Sequence, residues 1–253
     1  MTVVRSIINA NLWLSGAIDR LLPTAVRSDG NKTFIAEYLP RAVEPGFTVY
    51  DLGGGSRPFV DLATKRKLKL TVVGVDISAE ELAAAPRGIY DREIAADLCT
   101  FTGNASADSV VCQALLEHVP DGAGAMRAIA TTLKPGARAF IFAPSRNAVF
   151  ARLNLLLPQT LKERLLYALF PHKAEGHDGF RAYYDRCTPH DLEALARMNG
   201  LVVEERRLFW ISSYFSIFAP AYLAWRVIQG VLYLLLRANA AETYIYVLKK
   251  PSG

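Results

Sequence analysis

Cysteine is scarce in this sequence of 253 residues, and its scarcity argues against two classes of protein. The three cysteines, Cys99, Cys112 and Cys187, are odd in number and form no Cys-x-x-Cys pair. A disulfide framework uses cysteines in even numbers, and a structural zinc site uses closely spaced pairs. The sequence therefore predicts a protein of a reducing compartment with neither feature.

Long runs of basic residues are also missing, although Lys and Arg outnumber Asp and Glu by 29 to 24. The one run, Lys65-Arg66-Lys67, is typical of a solvated helix end, so no nucleic-acid partner is expected. Scattered basic residues beside apolar segments fit an anionic membrane face better. Repeats and Pro/Gly/Ser-rich linkers are absent too, which favours one domain with added segments. Arg5, Asn9 and Asn11 interrupt the first apolar stretch, which is therefore not a cleavable secretory signal.

A complete dinucleotide fingerprint is a third absence. Asp51 is followed by Gly53, Gly54 and Gly55, but Pro58 stands where the third glycine of G-x-G-x-x-G should be. Glycines directly after a strand allow the backbone to turn sharply and to approach a ligand. Asp76 closes the next apolar run, where an acid can accept hydrogen bonds from two ribose hydroxyls. These residues indicate a nucleoside-cofactor site other than the dinucleotide kind.

The Asp51-x-Gly53-x-Gly55 pattern resembles the first motif of class I S-adenosyl-L-methionine (SAM)-dependent methyltransferases, in particular their small-molecule "type 11" branch. Further segments match this family in order, with Arg57 replacing its third glycine and Ala107 replacing a phenylalanine. They are Ala96-Asp97-Leu98, Ala107-Asp108-Ser109-Val110-Val111, Leu116-Glu117-His118-Val119-Pro120-Asp121 and Leu133-Lys134-Pro135-Gly136. The resemblance covers residues 30–145 closely and the last fifty residues loosely.

The resemblance implies the positions that hold SAM. Asp51 and the amides of Gly53, Gly54 and Gly55 would hold its amino-acid end. Asp76 and Ile77 would lie at the ribose, and Asp97 and Leu98 at the adenine, with Gln113 completing the cofactor set. No His/Asp cluster has convincing metal-ligand spacing, so no metal is expected.

The order of apolar segments predicts an α/β fold. Strands near 47–51, 70–75, 91–96, 108–113 and 137–143 alternate with helical patterns, and two more follow at 201–209 and 243–248. With the resemblance, this gives a Rossmann-like, doubly wound, seven-stranded sheet with an antiparallel last strand and helical cap insertions. Four segments are expected: an N-terminal amphipathic helix (1–30), a SAM-binding core (31–146), an acceptor-side insertion (147–187), and the end of the sheet (188–253).

Residues 211–236 form an apolar insertion between the last two strands, with Arg226 as its one charge. The stretch is long enough for a transmembrane helix. Pro220 and Arg226 divide it, however, and a single crossing would separate two strands that should be neighbours in the sheet. We therefore expect a helical hairpin that either caps the acceptor or lies in a membrane interface.

The methyl acceptor needs a base if the methylated group is a hydroxyl. His118 follows the fourth strand, and His177 with Asp178 lies in the polar part of the acceptor-side insertion; we expect one of these histidines to act as the base. The leading hypothesis is O-methylation of a small or lipid-linked acceptor (a glycan, lipid or quinone-like headgroup). Peripheral contact with the inner membrane face would accompany a cytoplasmic location. The alternatives are a soluble methyltransferase of an apolar secondary metabolite and a non-catalytic SAM-fold binding protein.

Overall fold

A computed structural model describes residues 2–156, 181–211 and 215–252. Helices separate the first five strands except the third and fourth, which follow each other directly, and further helices lie around the last two strands. The seven strands are β1 Thr48–Leu52, β2 Thr71–Asp76, β3 Arg92–Ala95, β4 Ala107–Gln113, β5 Leu133–Pro144, β6 Val202–Phe209 and β7 Thr243–Lys249.

Eight α-helices lie within the described ranges. The first precedes the sheet as expected, and Gly30–Thr33 continues through a π-helical turn and a 3₁₀ turn to Ala42. The helices are α1 Thr2–Arg20, α2 Gly30–Thr33, α3 Leu62–Leu68, α4 Ala79–Ala83, α5 Gly122–Thr132, α6 Val149–Leu156, α7 Pro189–Met198 and α8 Ala219–Leu236.

All seven strands join one sheet in the order β3-β2-β1-β4-β5-β7-β6. The pairs from β3 to β5 are parallel, and β7 runs antiparallel to both β5 and β6. The order of the strands reverses between β1 and β4, whose carboxyl ends therefore flank the crevice in which such sheets bind ligands. The predicted seven-stranded sheet with an antiparallel last strand is confirmed.

Alternating side chains of the central strands build a core on each face of the sheet. Tyr50 and Leu52 pack with α5 and α7 on one face, and Val49 packs with Phe34 and Tyr38 on the other. Successive side chains of a strand point to opposite faces, and both faces of this sheet are covered. The loops at the carboxyl edge are thus held on a rigid base.

The apolar insertion differs from its expected shape. Instead of a hairpin broken at Pro220 and Arg226, Ala219–Leu236 is one continuous helix, so that prediction is wrong. Pro220 lies in its first turn, where a helix has no backbone N–H bond to lose. The insertion leaves and re-enters the sheet at one point, because the Glu242 amide donates to the Phe209 carbonyl oxygen at 2.9 Å.

Helix α8 packs on α1 through one polar and aromatic face. The Arg226 guanidinium pairs with Asp19 of α1 and donates to the Trp210 carbonyl oxygen at 2.8 Å. Tyr222 and Trp225 are buried beside it, whereas the opposite face of α8 is exposed. Within the described ranges, Ala219–Ala240 is the one helical stretch whose length and composition would allow it to cross a membrane, and 22% of its apolar window is buried.

Candidate active site

The glycine loop after β1 has a backbone that requires glycine. Gly53 and Gly55 have φ angles of +75° and +47°, which side-chain-bearing residues rarely adopt. A Cβ on Gly54 would lie 2.1 Å from Asp51 Oδ2, far inside any tolerable contact. The loop can therefore fold closely over the end of β1 only with these glycines.

Asp51 supports this loop through a buried network of hydrogen bonds. Its Oδ2 accepts hydrogen bonds from the Phe59 amide and the Tyr90 hydroxyl, both at 3.2 Å, and the same hydroxyl lies 3.1 Å from the Gly55 carbonyl oxygen. Burial raises the pKa of the Asp51 carboxyl to about 7, against the hydrogen bonds from Phe59 and Tyr90, which lower it. The buried Asp51 carboxyl thus stabilises the loop. Its contact with a cofactor stays a prediction.

Tyr90 is a residue that sequence reasoning missed. It reaches the loop across β2, where a Cβ on Gly74 would lie 2.9 Å from its ring. Glycine inside a strand often marks a close approach of this kind. Gly74 was therefore the signal in the sequence for an aromatic residue lying over β2.

A cavity of about 380 Å³ opens beside the loop, at the carboxyl ends of β1, β2 and β4. This first cavity brings together five of the predicted cofactor residues. They are Gly53, Asp76, Ile77, Asp97 and Leu98. Its volume falls within the range of about 300–1,000 Å³ typical of ligand sites.

The two acids of this cavity lie at the ends of strands, each held by a nearby amide. Ser78 donates its backbone N–H to Asp76 Oδ1 at 3.0 Å, and Cys99 donates to Asp97 Oδ1 at 2.8 Å. Burial raises the pKa of Asp76, against the Ser78 hydrogen bond. Carboxylate oxygens can accept from ribose hydroxyls and an adenine amino group, so the donors and acceptors of SAM fit this side of the cavity.

Gln113 and two of the glycines lie elsewhere. The Gln113 side-chain amide donates to Asn31 Oδ1 at 2.8 Å and ties β4 to α2. Gly54 and Gly55 belong to the loop but not to the lining of the first cavity. The predicted cofactor contacts of these residues stay predictions.

His118 lines the first cavity together with Arg181 and Tyr183. Its Nδ1 lies 3.2 Å from the Arg181 carbonyl oxygen, which can only accept, so Nδ1 is the donor of this hydrogen bond. Nε2 lies 3.9 Å from Glu117 Oε1. The other predicted catalytic residues, His177 and Asp178, lie outside the described residues.

A second cavity of about 370 Å³ adjoins the first, and Ala114 contributes to the walls of both. Two buried carboxyls line this second cavity, Glu117 and Glu242. Neither was singled out from the sequence, although Glu117 lies inside one of the matched segments. The second cavity, whose walls are partly polar and partly apolar, therefore lies directly beside the expected cofactor position.

Comparisons with known proteins agree with this fold and site. A model of a family described as a methyltransferase domain matches residues 17–206. A ubiquinone biosynthesis O-methyltransferase of Aeromonas salmonicida is 28% identical over 167 residues, which cover 63% of this chain and 65% of that protein. A protein of the same name from Hydrogenovibrio crunogenus is 28% identical over 208 residues, which cover 78% of this chain and 77% of that protein. The chain thus spans just under two thirds of the first of these relatives.

Solved structures show the same fold. The methyltransferase solved with the Haloferax volcanii Trm112 activator has a TM-score of 0.54 at 18% identity, with 99% of this chain and 98% of that chain covered. Phosphoethanolamine N-methyltransferase 2 of Haemonchus contortus, solved with SAM, has a TM-score of 0.52 at 17% identity, covering 94% and 56%. At these identities the likeness concerns the fold alone.

The doubly wound sheet, the glycine loop and the acids at the ends of β2 and β3 define a class I SAM-dependent methyltransferase. The match over residues 17–206 places the chain in the methyltransferase-domain family. The chain therefore carries the methyltransferase domain that the resemblance in the sequence implied.

Proposed function

We propose that this enzyme methylates an oxygen atom of a small, hydroxylated, quinone-like acceptor that carries an apolar tail and is met at the membrane face. The observation that carries the proposal is the second cavity, which shares Ala114 with the first and so adjoins the expected methyl donor. Relatives named ubiquinone biosynthesis O-methyltransferase support an oxygen acceptor on a ring.

Support for the membrane face comes from an apolar surface formed by the exposed side chains of two packed helices. Helices α1 and α8 pack together, and both expose large apolar side chains to solvent. These include Ile7, Leu12, Trp13, Leu14, Leu21, Leu223, Val227, Val231, Leu234 and Leu235. Exposed arginines at Arg5, Arg20 and Arg237 flank this surface. Apolar side chains with basic neighbours suit the interface of an anionic bilayer.

The activity is tested by methyl transfer from labelled SAM to two series of acceptors. One series carries a catechol or hydroquinone ring with tails of increasing length, and the other carries the matching amines. We expect O-methylated products from the first series, identified by mass spectrometry, and rates that rise with tail length. Methylation of the amines alone would refute the proposal.

Vesicle co-sedimentation tests the membrane contact. Leu235→Glu on α8 is matched by Met198→Glu on α7, since these side chains are 73% and 76% exposed. We expect wild type and Met198→Glu to bind anionic vesicles, and to bind them more weakly at high salt. Leu235→Glu should bind the vesicles less than either. The affinity for SAM should be the same in all three proteins. Wild type that binds no vesicle but methylates the tailed rings would favour the soluble enzyme of an apolar metabolite.

A further inference from the structure

The second cavity contains two buried polar atoms without an assigned role. Glu117 Oε2 and Thr243 Oγ1 are buried, and neither has a hydrogen-bond partner among the described residues. Both residues line this cavity, and the Glu117 side chain is only 7% exposed. Buried polar groups in folded proteins are nearly always hydrogen-bonded, because burying one unpaired is costly. Two such atoms in one cavity therefore indicate a polar ligand.

The position of Glu117 is set by the backbone around it. It lies in the 3₁₀ turn Leu116–His118 after β4, and its carbonyl oxygen accepts hydrogen bonds from the amides of Tyr183 and Tyr184 at 2.8 and 3.0 Å. The turn and the segment 181–184 are thus held together by these two hydrogen bonds. The backbone at Glu117 is consequently fixed, and its side chain is buried from solvent.

The other walls of the cavity limit the chemistry of the ligand. Apolar side chains supply much of the lining: Ala114, Phe142, Pro144, Ala148, Phe150, Ala151 and Ile211. Among the described residues that line the cavity, three acids, Asp29, Glu117 and Glu242, oppose one cation, Lys32, which disfavours an acceptor bearing phosphate or carboxylate. Glu242 Oε1 already accepts from Trp225 Nε1 at 3.0 Å and from the Val149 amide at 3.3 Å. A flat apolar ring with hydroxyl groups matches both the walls and the two unpartnered atoms.

We propose that the second cavity binds the ring of the methyl acceptor, and that Glu117 is the catalytic residue that takes the proton from its reacting hydroxyl, with Thr243 holding a second ring substituent. This inference rests on the proposed function. The acceptor O–H proton moves to Glu117, and the oxygen forms a bond to the methyl carbon of SAM. The bond between that carbon and the sulfonium sulfur breaks, and the sulfur keeps the electron pair as a neutral thioether.

The basicity of Glu117 suits this role. Burial raises the pKa of its carboxyl to about 8, so the ionised form is a stronger base than an ordinary carboxylate. Among the described residues, the ionisable groups packed around it or lining the same cavity are Asp29, Lys32, Cys112, His118, Tyr184, Cys187, Glu242 and Tyr244. His118 lies in the first cavity with its Nδ1 at the Arg181 carbonyl oxygen, beside the donor rather than among the acceptor walls.

Glu117→Gln tests the proton transfer, with the exposed Glu44→Gln as the matched control. We expect turnover of a tailed catechol to fall by about 10²–10⁴-fold in Glu117→Gln and to stay unchanged in Glu44→Gln. Wild-type turnover should rise with pH up to about pH 8, and the residual activity of Glu117→Gln should lack this rise. Affinity for SAM should change less than twofold, because the residue faces the second cavity.

Binding is measured separately with 4-nitrocatechol, whose absorption spectrum reports its ionisation, in the presence of S-adenosylhomocysteine. We expect wild type to bind it in the ionised form, Glu117→Gln to bind it without ionising it, and Thr243→Val to bind it at least tenfold more weakly than Thr243→Ser. Two results would overturn the inference. One is unchanged turnover and pH profile in Glu117→Gln. The other is unchanged ionisation of the bound ligand in Glu117→Gln together with unchanged affinity in Thr243→Val. Wild type that methylates no hydroxylated ring would instead refute the proposed function, and the nitrocatechol titration would still decide whether the cavity binds a ring.

Discussion

Replacing Glu117 by glutamine should change how the stability of the protein depends on pH. The carboxyl has a pKa of about 8 in the folded chain, against an ordinary value of 4.5, because burial disfavours its charged form. A raised pKa means that the folded state binds the proton more tightly than the unfolded state. The stabilisation is therefore complete below about pH 4.5 and is lost as the pH rises towards about 8.

The size of the effect follows from linkage. Within that window the wild type should lose about 1.4 kcal/mol of unfolding free energy per pH unit through this one group. Between pH 5.5 and 7.5 the loss is about 2–3 kcal/mol. Glutamine is neutral throughout, so the variant does not lose this contribution. Asp51, whose pKa burial raises to about 7, adds a slope of the same sign to both proteins, and the slope cancels in their difference.

The assay is urea unfolding of wild type and Glu117→Gln without ligand, at several pH values from 5.5 to 7.5. The difference in unfolding free energy between the two should shift by about 2–3 kcal/mol in favour of the variant over this range. A constant penalty from the buried amide would displace the whole curve without changing its slope. Parallel curves for the two proteins would show that Glu117 is not held in a protonated, buried state, and would refute the reasoning.

Three further outcomes are expected. Gly54→Ala should weaken SAM binding and lower the melting temperature, because its Cβ would lie 2.1 Å from Asp51 Oδ2; a thermal shift with and without SAM checks this. Asp76→Ala should lose a charged hydrogen bond to the cofactor of about 1.5–3 kcal/mol, a tenfold or greater loss of affinity by calorimetry. Asp19→Ala leaves Arg226 buried without its charged partner and should cost about 3–5 kcal/mol in guanidinium unfolding. Equal values for variant and wild type would contradict the corresponding prediction.

The cofactor half of the site could be predicted from sequence because its requirements are local. Positive φ angles at Gly53 and Gly55 need glycine, and Asp76 and Asp97 lie at or just beyond the ends of two neighbouring parallel strands. Such requirements leave a short, ordered pattern in the chain. Tyr90 leaves only an indirect sign in Gly74, because its contact with Asp51 joins residues 39 apart in sequence.

The apolar insertion shows where local reasoning failed. A proline breaks a helix only where its missing N–H would have been bonded, and Pro220 lies in the first turn of α8. The charge of Arg226 is compatible with the helix because Asp19, 207 residues earlier, pairs with it. Neither the starting point of the helix nor the distant partner is visible in the hydropathy of residues 211–236.

The choice of base shows a limit of reasoning from residue types. Histidine is favoured as a base because its ordinary pKa, about 6.5, lies near neutrality, whereas that of glutamate is about 4.3. Burial reverses this order at Glu117, whose pKa rises to about 8 and so exceeds the ordinary value for histidine. The turn that carries Glu117 is held by Tyr183 and Tyr184, distant in sequence, whose amides donate to the Glu117 carbonyl oxygen. A candidate base can therefore be ranked only after the fold has determined which carboxyls are removed from water.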